Sequence, residues 1–226
     1  MEVFKYSPII NLTLENLRNH ELWFSAEFED DPNDNNLQIG EFRFNEFLTS
    51  SIEFFKQNPG FYEKYLKIFQ ESGISKNPNQ DFSVEEMMQT MKRTFHGITC
   101  FTTTDSNEYM WEKFADYHSG FCLCFETDLD SDFFKELYPV NYENELPKID
   151  LMDNNLAKQM EIFSLTKSSK YLPEDEIRLL KHKSGLHKYK SESLKNITLG
   201  KNIKDEEKIM NLISKFYNHK ILIKNG

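Results

Sequence analysis

Residues 97–126 read GITCFTTTDSNEYMWEKFADYHSGFCLCFE, and this stretch decides the fold class. Residues 97–102 form a short, largely apolar run, which predicts a strand. From Asn107 to His118 the large side chains recur at helical spacing, which predicts an amphipathic helix. Residues 120–126 are apolar on both faces, a pattern typical of a strand at the centre of a sheet. The stretch therefore predicts a strand, a helix and a central strand in succession.

The rest of the chain adds strands and helices without strict alternation. Further strands are predicted at 3–6, 22–26, 138–142, 174–181, 194–200 and 220–223, and helices at 13–17, 151–168 and 205–217. Residues 41–95 have a helical pattern that Pro59 interrupts, which predicts a layer of separate helices. This organisation predicts an α+β fold in one domain spanning 1–226. It has a mixed or antiparallel central sheet, flanking helices and a helical insertion at about 41–95.

The charge of the chain bears on its partners. The formal net charge is −10, from 37 acidic and 27 basic residues. A negative surface repels phosphate backbones, so nucleic-acid binding is expected only through a local basic patch at 181–190. The basic side chains of this patch are Lys181, His182, Lys183, His187, Lys188 and Lys190. The alternative is that the patch is a solvated loop.

Cysteine usage and the N-terminal sequence bear on the compartment. Cys122 and Cys124 share one face of a predicted strand, so the sequence predicts free thiols and a reducing environment. With Cys100 and His96 they lack the spacing of a zinc finger. Residues 1–6 carry no signal-peptide pattern, and no apolar run reaches the ~20 residues that span a bilayer. We therefore expect a cytoplasmic protein without a membrane partner.

Motif searches exclude several enzyme classes. The sequence has no Gly-rich phosphate loop of either common type, no G-x-S-x-G elbow and no H-E-x-x-H helix. An acidic segment contains Asp30, Asp31 and Asp34, whose carboxylates are suited to a hard cation. The spacing of a calcium loop is not met, because Leu37 follows Asn35 and Asn36. A solvated turn is the alternative reading of this segment.

Glu174, Glu176 and Arg178 form a second constellation, which we predict to be catalytic. On a strand, the three side chains fall on one face at steps of about 7 Å. An adjacent arginine lowers the pKa of a carboxyl group, so these glutamates are suited to stabilising positive charge rather than to donating a proton. Such a carboxylate can stabilise an oxocarbenium-like transition state, as in glycosyl transfer. The alternative is an exposed strand face with a ladder of salt bridges.

Several short motifs occur in an order that resembles a known family. They are Lys5-Tyr6, Leu22-Trp-Phe-Ser25, Phe28-x-Asp-Asp-Pro-x-Asp34, Met110-Trp-x-x-Phe-Ala-Asp-x-His-x-Gly120-Phe-Cys, Val140-Asn-Tyr142 and Glu174-x-Glu-x-Arg178-Leu. In this order, over nearly the whole chain, they resemble the bacterial domain-of-unknown-function family 2971. The resemblance implies a fold more than an activity, because the name of that family assigns no reaction.

A second likeness is to the ADP-ribosyltransferase superfamily, in which bound NAD is surrounded by residues of three strands. The likeness assigns a first-strand polar position to Lys5 or Tyr6, an aromatic-Ser strand to Ser25 and a late-strand glutamate to Glu176. It implies that Glu176 hydrogen-bonds the nicotinamide ribose while Tyr6 and nearby aromatics hold the ring. NAD is then the expected substrate, and these side chains are expected to converge on one cleft.

Three functions stay open at this point. The first is an NAD-consuming, ADP-ribosyltransferase-like enzyme, such as a toxin or phage-defence effector. The second is a non-catalytic sensing or interaction module that uses the aromatic strand and the acidic loop. The third is a metal-dependent hydrolase or nuclease built on Asp31, Asp34 and His118. A structural alternative for His118 is its place at a helix end, where the helix dipole favours a cation. The sequence identifies neither a cofactor nor an oligomeric state.

Overall fold

The structure is a computed structural model, and it describes residues 1–26, 97–145 and 164–225. The helices predicted within 41–95, and the acidic loop with Asp31 and Asp34, lie outside the described residues. Within the described ranges, no helix has the length and apolar character needed to cross a membrane.

The described residues form strands, three α-helices and short 3-10 turns. The strands are β1 (Glu2–Ser7), β2 (Glu21–Ala26), β3 (Gly97–Thr102), β4 (Phe121–Glu126), β5 (Leu137–Pro139), β6 (Asn141–Glu143), β7 (Thr166–Ser168), β8 (Glu176–Lys181), β9 (Gly185–Lys188), β10 (Leu194–Leu199) and β11 (Leu222–Asn225). The helices are α1 (Asn11–Asn19), α2 (Glu108–Phe114) and α3 (Glu206–Phe216). The 3-10 turns are Thr127–Asp130, Ser169–Glu174 and Ser191–Ser193.

Nine of the described strands form one sheet, in the order β11-β10-β4-β1-β3-β2-β9, with β8 on β3 and β5 on β8. β6 and β7 form a separate two-stranded sheet. The β10–β11 and β6–β7 pairs are parallel, whereas the pairs around β1, β3 and β4 are antiparallel. The predicted α+β class with a mixed sheet is therefore confirmed.

The apolar face of the sheet forms the larger core. β4 lies between β1 and β10 and is buried along nearly its whole length, as its two-sided apolar pattern predicted. Phe101, Phe125 and Leu179 lie in this core, where α1 contributes Leu17 and α3 contributes Ile209. Side chains of this size each contribute roughly 1.5–3 kcal/mol on full burial. This face therefore holds the strands in position.

The opposite face of the sheet is covered in part by α2. Met110 and Trp111 pack against Tyr6, Cys122 and Cys124, so the two cysteines share a face as predicted. Both cysteines are free. The side chain of Asn107, the N-cap of α2, accepts a hydrogen bond from the Met110 N–H and so stabilises the start of the helix.

The connection from α2 to β4 is a left-handed turn. Asp116, Tyr117 and His118 have positive φ angles of 47°, 50° and 65°. The chain can approach β1 closely here because residue 120 is glycine, where an added Cβ would lie 2.2 Å from the Ser7 carbonyl oxygen. The predicted helix at 107–118 therefore ends at Phe114, four residues early.

Four sequence predictions need correction. Helix α1 begins at Asn11 rather than at Thr13, whose hydroxyl accepts from the Ile10 N–H at the helix start. The single strand predicted at 138–142 is two strands, β5 and β6. Residues 166–168 of the helix predicted at 151–168 are strand β7, and residues 146–163 lie outside the described ranges. The basic patch at 181–190 contains strand β9 and is not a loop.

Candidate functional site

The two edges of β3 have different neighbours. One edge pairs with β8 along all six residues. The other edge pairs with β2 at Gly97 and Ile98 and with β1 at Thr102. Between these two pairings, the carbonyl oxygen of Cys100 accepts a hydrogen bond from Lys5 Nζ at 3.1 Å. The sheet is therefore split at the middle of β3, and Lys5 bridges the split.

One face of β3 and β8 carries the predicted catalytic residues. Thr102 lies opposite Glu176 and Cys100 lies opposite Arg178, and directly opposed residues in a sheet share a face. The alternate residues Ile177 and Leu179 belong to the apolar core on the other face. The alternation predicted for this segment is confirmed, and it brings Glu176 and Arg178 beside Cys100.

A cluster of four charged side chains lies over β8. Glu176 Oε1 accepts from Arg178 Nε at 2.7 Å, and Glu176 Oε2 accepts from Lys167 Nζ at 3.1 Å. Lys167 Nζ also donates to Glu174 Oε2 at 2.6 Å, and Arg178 Nη1 donates to the Ser164 carbonyl oxygen at 2.6 Å. Two cations and two carboxylates therefore compensate each other. We call these four side chains the charge cluster.

The burial of the charge cluster corrects the sequence reading in two respects. The glutamate and arginine side chains are at most 7% exposed, so the face is not the exposed ladder of salt bridges that was the alternative. Glu174 is not on the strand, because it ends the 3-10 turn before β8 and Asp175 has a φ of 47°. Its carboxylate still reaches the cluster through Lys167.

Glu176 is ionised at neutral pH. Burial by itself would raise the pKa of its carboxyl group, but Arg178 and Lys167 outweigh burial and lower that pKa to about 2. A group with this pKa cannot serve as a general acid near pH 7, because almost none of it is protonated. It can stabilise a positive charge that develops beside it, as the sequence reading predicted.

Cys100 marks an opening on this face. Its side chain is exposed, whereas the other five residues of β3 are buried. The protein around it and the charge of Glu176 raise the pKa of the thiol to about 12. The thiol is therefore protonated at neutral pH and is not a nucleophile.

The chain matches no protein-family model, no curated protein and no solved structure. The two likenesses stated from the sequence therefore stay predictions, and the chemistry of the site is argued from its geometry.

Two residues of the site, Lys167 and Tyr142, were not predicted from the sequence. Lys167 was placed in a predicted helix, so nothing in its pattern pointed to Glu176. Tyr142 belongs to the Val140-Asn-Tyr motif, whose order in the chain was the available signal. Its hydroxyl accepts the Glu176 N–H at 2.9 Å, and burial raises its pKa to about 12. The Val140 N–H donates to the Glu176 carbonyl oxygen at 3.0 Å, which fixes the backbone at the start of β8.

The expectation that the residues assigned to NAD binding by the second likeness converge on one cleft is wrong, because Lys5, Tyr6 and Ser25 lie at different places around β3. Lys5 is partly buried beside Cys100, and burial lowers the pKa of its ammonium group. Tyr6 is buried against Trp111, and its hydroxyl donates to the Thr104 carbonyl oxygen and accepts the Asn107 N–H. Ser25 shares the face of the cluster, because it lies opposite Ile98. The strand geometry puts its Cα about 17 Å from that of Glu176.

His118 packs beside α2. Its ring stacks on Trp111 with centroids 5.3 Å apart, and its Nε2 lies 2.8 Å from Glu108 Oε2. The structure therefore assigns it a packing contact with α2. Asp31 and Asp34 lie outside the described residues, among which no group of three or more His, Cys, Asp or Glu could hold a metal ion.

Proposed function

We propose that the protein is an NAD-consuming enzyme that transfers the ADP-ribosyl group, with Glu176 stabilising the positive charge of the transition state. One observation carries the proposal: an ionised, buried carboxylate lies beside the exposed residue of the central strand β3, Cys100. A low-dielectric environment strengthens the interaction of such a carboxylate with a developing cation.

The reaction balances without a redox partner. The bond between the ribose C1′ and the nicotinamide nitrogen breaks, and its electron pair returns to the pyridine ring, so nicotinamide leaves as a neutral molecule. The ribose then carries an oxocarbenium charge, which the carboxylate stabilises. An oxygen or nitrogen nucleophile of the acceptor, or water, attacks C1′ and releases its proton to solvent.

The hydrogen bonding of Glu176 leaves room for a substrate hydroxyl. A carboxylate offers about four lone-pair positions. Within the part of the chain that the structure describes, Lys167 and Arg178 account for two of them. Cys100 lies opposite Arg178 on the same face and is exposed, so a ribose hydroxyl approaches the carboxylate from solvent past this residue. The side chain of Glu176 is 2% exposed, so the substrate has to move its neighbours to reach it.

The test measures nicotinamide release from NAD by the purified protein and by Glu176→Asp. The substitution keeps the charge that compensates Arg178 and Lys167 but withdraws the carboxylate by one methylene. A displacement on the order of 1 Å at a reacting centre can lower a rate about 100-fold. We therefore expect turnover to fall by about that factor, and the melting temperature of the variant checks that it is folded at the temperature of the assay.

A matched substitution controls for loss of an ion pair alone. Glu126→Asp shortens a carboxylate that pairs with the N-terminal ammonium group at the end of β4, and we expect unchanged turnover. Equal turnover in wild type and Glu176→Asp would refute the role of Glu176. Absence of both nicotinamide release and NAD binding in the wild type would favour the interaction module.

A further inference from the structure

Trp23 is an exposed aromatic side chain on a strand whose neighbours are buried. Leu22 and Phe24 belong to the apolar core, whereas Trp23 is 47% exposed. A large ring with this much accessible surface is suited to stacking against another planar group. The other tryptophan of the chain, Trp111, is 3% exposed and packs under α2.

Trp23 lies on the same face of the sheet as the candidate site. Ser25 is opposite Ile98, and residues two apart on a strand share a face, so Trp23 and Cys100 share it as well. Both are exposed, on strands that pair with each other. Strand spacing and rise put the Cα atoms of Trp23 and Glu176 at least about 12 Å apart.

Strand β9 supplies a cation next to Trp23. Leu186 lies directly opposite Trp23 and is also 47% exposed. Lys188, two residues further along β9, is exposed on the same face and lies opposite Glu21. Its ammonium group can bind a phosphate, since cationic side chains are the usual partners of phosphate oxygens.

We infer that Trp23 stacks on the adenine ring of the dinucleotide and that Lys188 binds its pyrophosphate, while the nicotinamide ribose lies at Glu176. This inference rests on the proposed function. It assigns binding residues to the adenine and the pyrophosphate, which the charge cluster around Glu176 does not contact. The two bases of NAD are joined by two riboses and a pyrophosphate, so they occupy separate positions on one face. The separation of Trp23 from Glu176 fits that arrangement.

The test uses calorimetry of the full chain with two fragments of NAD. ADP-ribose carries the adenine and the pyrophosphate, whereas nicotinamide mononucleotide lacks the adenine. Loss of base stacking costs roughly 5- to 150-fold in affinity, so we expect Trp23→Ala to weaken ADP-ribose binding by that factor. Binding of nicotinamide mononucleotide should be unchanged. Trp23→Phe keeps an aromatic ring and should restore most of the affinity for ADP-ribose.

Lys188 has a matched control in Lys195, another exposed lysine, which lies on β10. Lys188→Ala should weaken ADP-ribose binding and reduce its dependence on salt, and Lys195→Ala should do neither. In the wild type, ADP-ribose should also quench tryptophan fluorescence, and Trp23→Phe should abolish the quenching because Trp111 is buried.

Unchanged ADP-ribose affinity in Trp23→Ala, or no ADP-ribose binding to the folded wild type, would overturn the inference. These outcomes are separate from failure of the proposed function. If Trp23→Ala binds ADP-ribose normally while Glu176→Asp lowers nicotinamide release as expected, the enzyme assignment stands and the stacking role fails. If ADP-ribose binds through Trp23 without any nicotinamide release from NAD, the binding site stands and the enzyme assignment fails.

Discussion

The two faces of β8 are buried to a similar extent but are built from opposite kinds of side chain. Ile177 and Leu179 are 7% and 0% exposed on the core face. Glu176 and Arg178 are each 4% exposed on the other face. The two faces share one backbone, so the difference between them comes from the side chains and their partners.

The comparison shows what each face requires of its surroundings. The apolar face gains free energy from any close-packed neighbour, because burial of apolar surface has no direction. Burial of the charged face costs roughly several kcal/mol of desolvation free energy per ion. Only partners at hydrogen-bond distance offset this cost. The Lys167 and Arg178 contacts therefore fix the geometry of Glu176 in a way that the apolar face does not fix Leu179.

Among the substitutions that test this comparison, we expect Glu176→Gln to lower the unfolding free energy the most. The neutral amide removes one of the two carboxylates that compensate Arg178 and Lys167 in a buried environment, and only Glu174, on Lys167, keeps its charge there. Breaking a buried ion pair in this way costs about 3–5 kcal/mol of unfolding free energy. Chemical denaturation of wild type and variant at pH 7 measures the loss.

Leu179→Ala is the matched substitution on the other face, where a fully buried leucine leaves a cavity at a cost of about 2–5 kcal/mol. The two variants can lose similar amounts of stability at pH 7 for different reasons. A loss below about 1 kcal/mol in Glu176→Gln would contradict the ion pairing of the buried carboxylate.

Acid pH separates the two faces. The pKa of Glu176 is about 2 in the folded protein and 4.5 in the unfolded chain. The unfolded state therefore binds this proton first, and the stabilisation by Glu176 is present above pH 4.5 and is lost as the pH falls towards 2. The full loss is about 3 kcal/mol, since one pKa unit corresponds to roughly 1.4 kcal/mol.

The measurement follows unfolding free energy from pH 6 to the lowest pH at which the protein stays folded. The difference between wild type and Glu176→Gln should shrink as the pH falls, whereas the difference between wild type and Leu179→Ala should stay constant. Parallel curves of unfolding free energy against pH for all three proteins would show that folding does not lower the pKa of Glu176.

The sequence predicted the charged face only in part. The alternation of Ile177 and Leu179 with Glu176 and Arg178 is a period-two pattern, and such a pattern fixes which side chains share a face. It does not fix what covers that face, because Lys167 reaches Glu176 from β7, a strand of a different sheet. The burial of the cluster therefore could not be read from local sequence.

The split in the pairing of β3 could not be predicted from local sequence either. Strands β1, β2 and β3 were each predicted from local patterns, but the pairing of β3 with both β1 and β2 on one edge depends on long-range register. That split places Lys5 at the Cys100 carbonyl, on the same residue whose side chain is exposed. The sequence placed Trp23 in a compact aromatic strand but did not predict that its side chain is exposed. That exposure depends on which face of β2 packs against the core.

The smallest expected effect compares two buried threonines of β3. Within the described part of the chain, the hydroxyls of Thr99 and Thr102 lack a hydrogen-bond partner. Thr99 points to the apolar face, opposite Leu179, and Thr102 points to the charged face, opposite Glu176. Valine has nearly the shape of threonine without the hydroxyl, so the substitution removes only the desolvation cost of that group.

Thr99→Val should stabilise the protein by about 1 kcal/mol, because an unpaired hydroxyl in an apolar environment costs at least that much. Thr102→Val should gain less, because the hydroxyl dipole lies beside the ionised carboxylate of Glu176 and is favoured by its charge. Thermal and chemical denaturation of the two variants measure the difference. An equal gain in both would show that the charge of Glu176 does not extend to its cross-strand neighbour. A larger gain for Thr102→Val would contradict the favourable interaction of its hydroxyl with Glu176, since the hydroxyl nearest the charge would then be the less tolerated of the two.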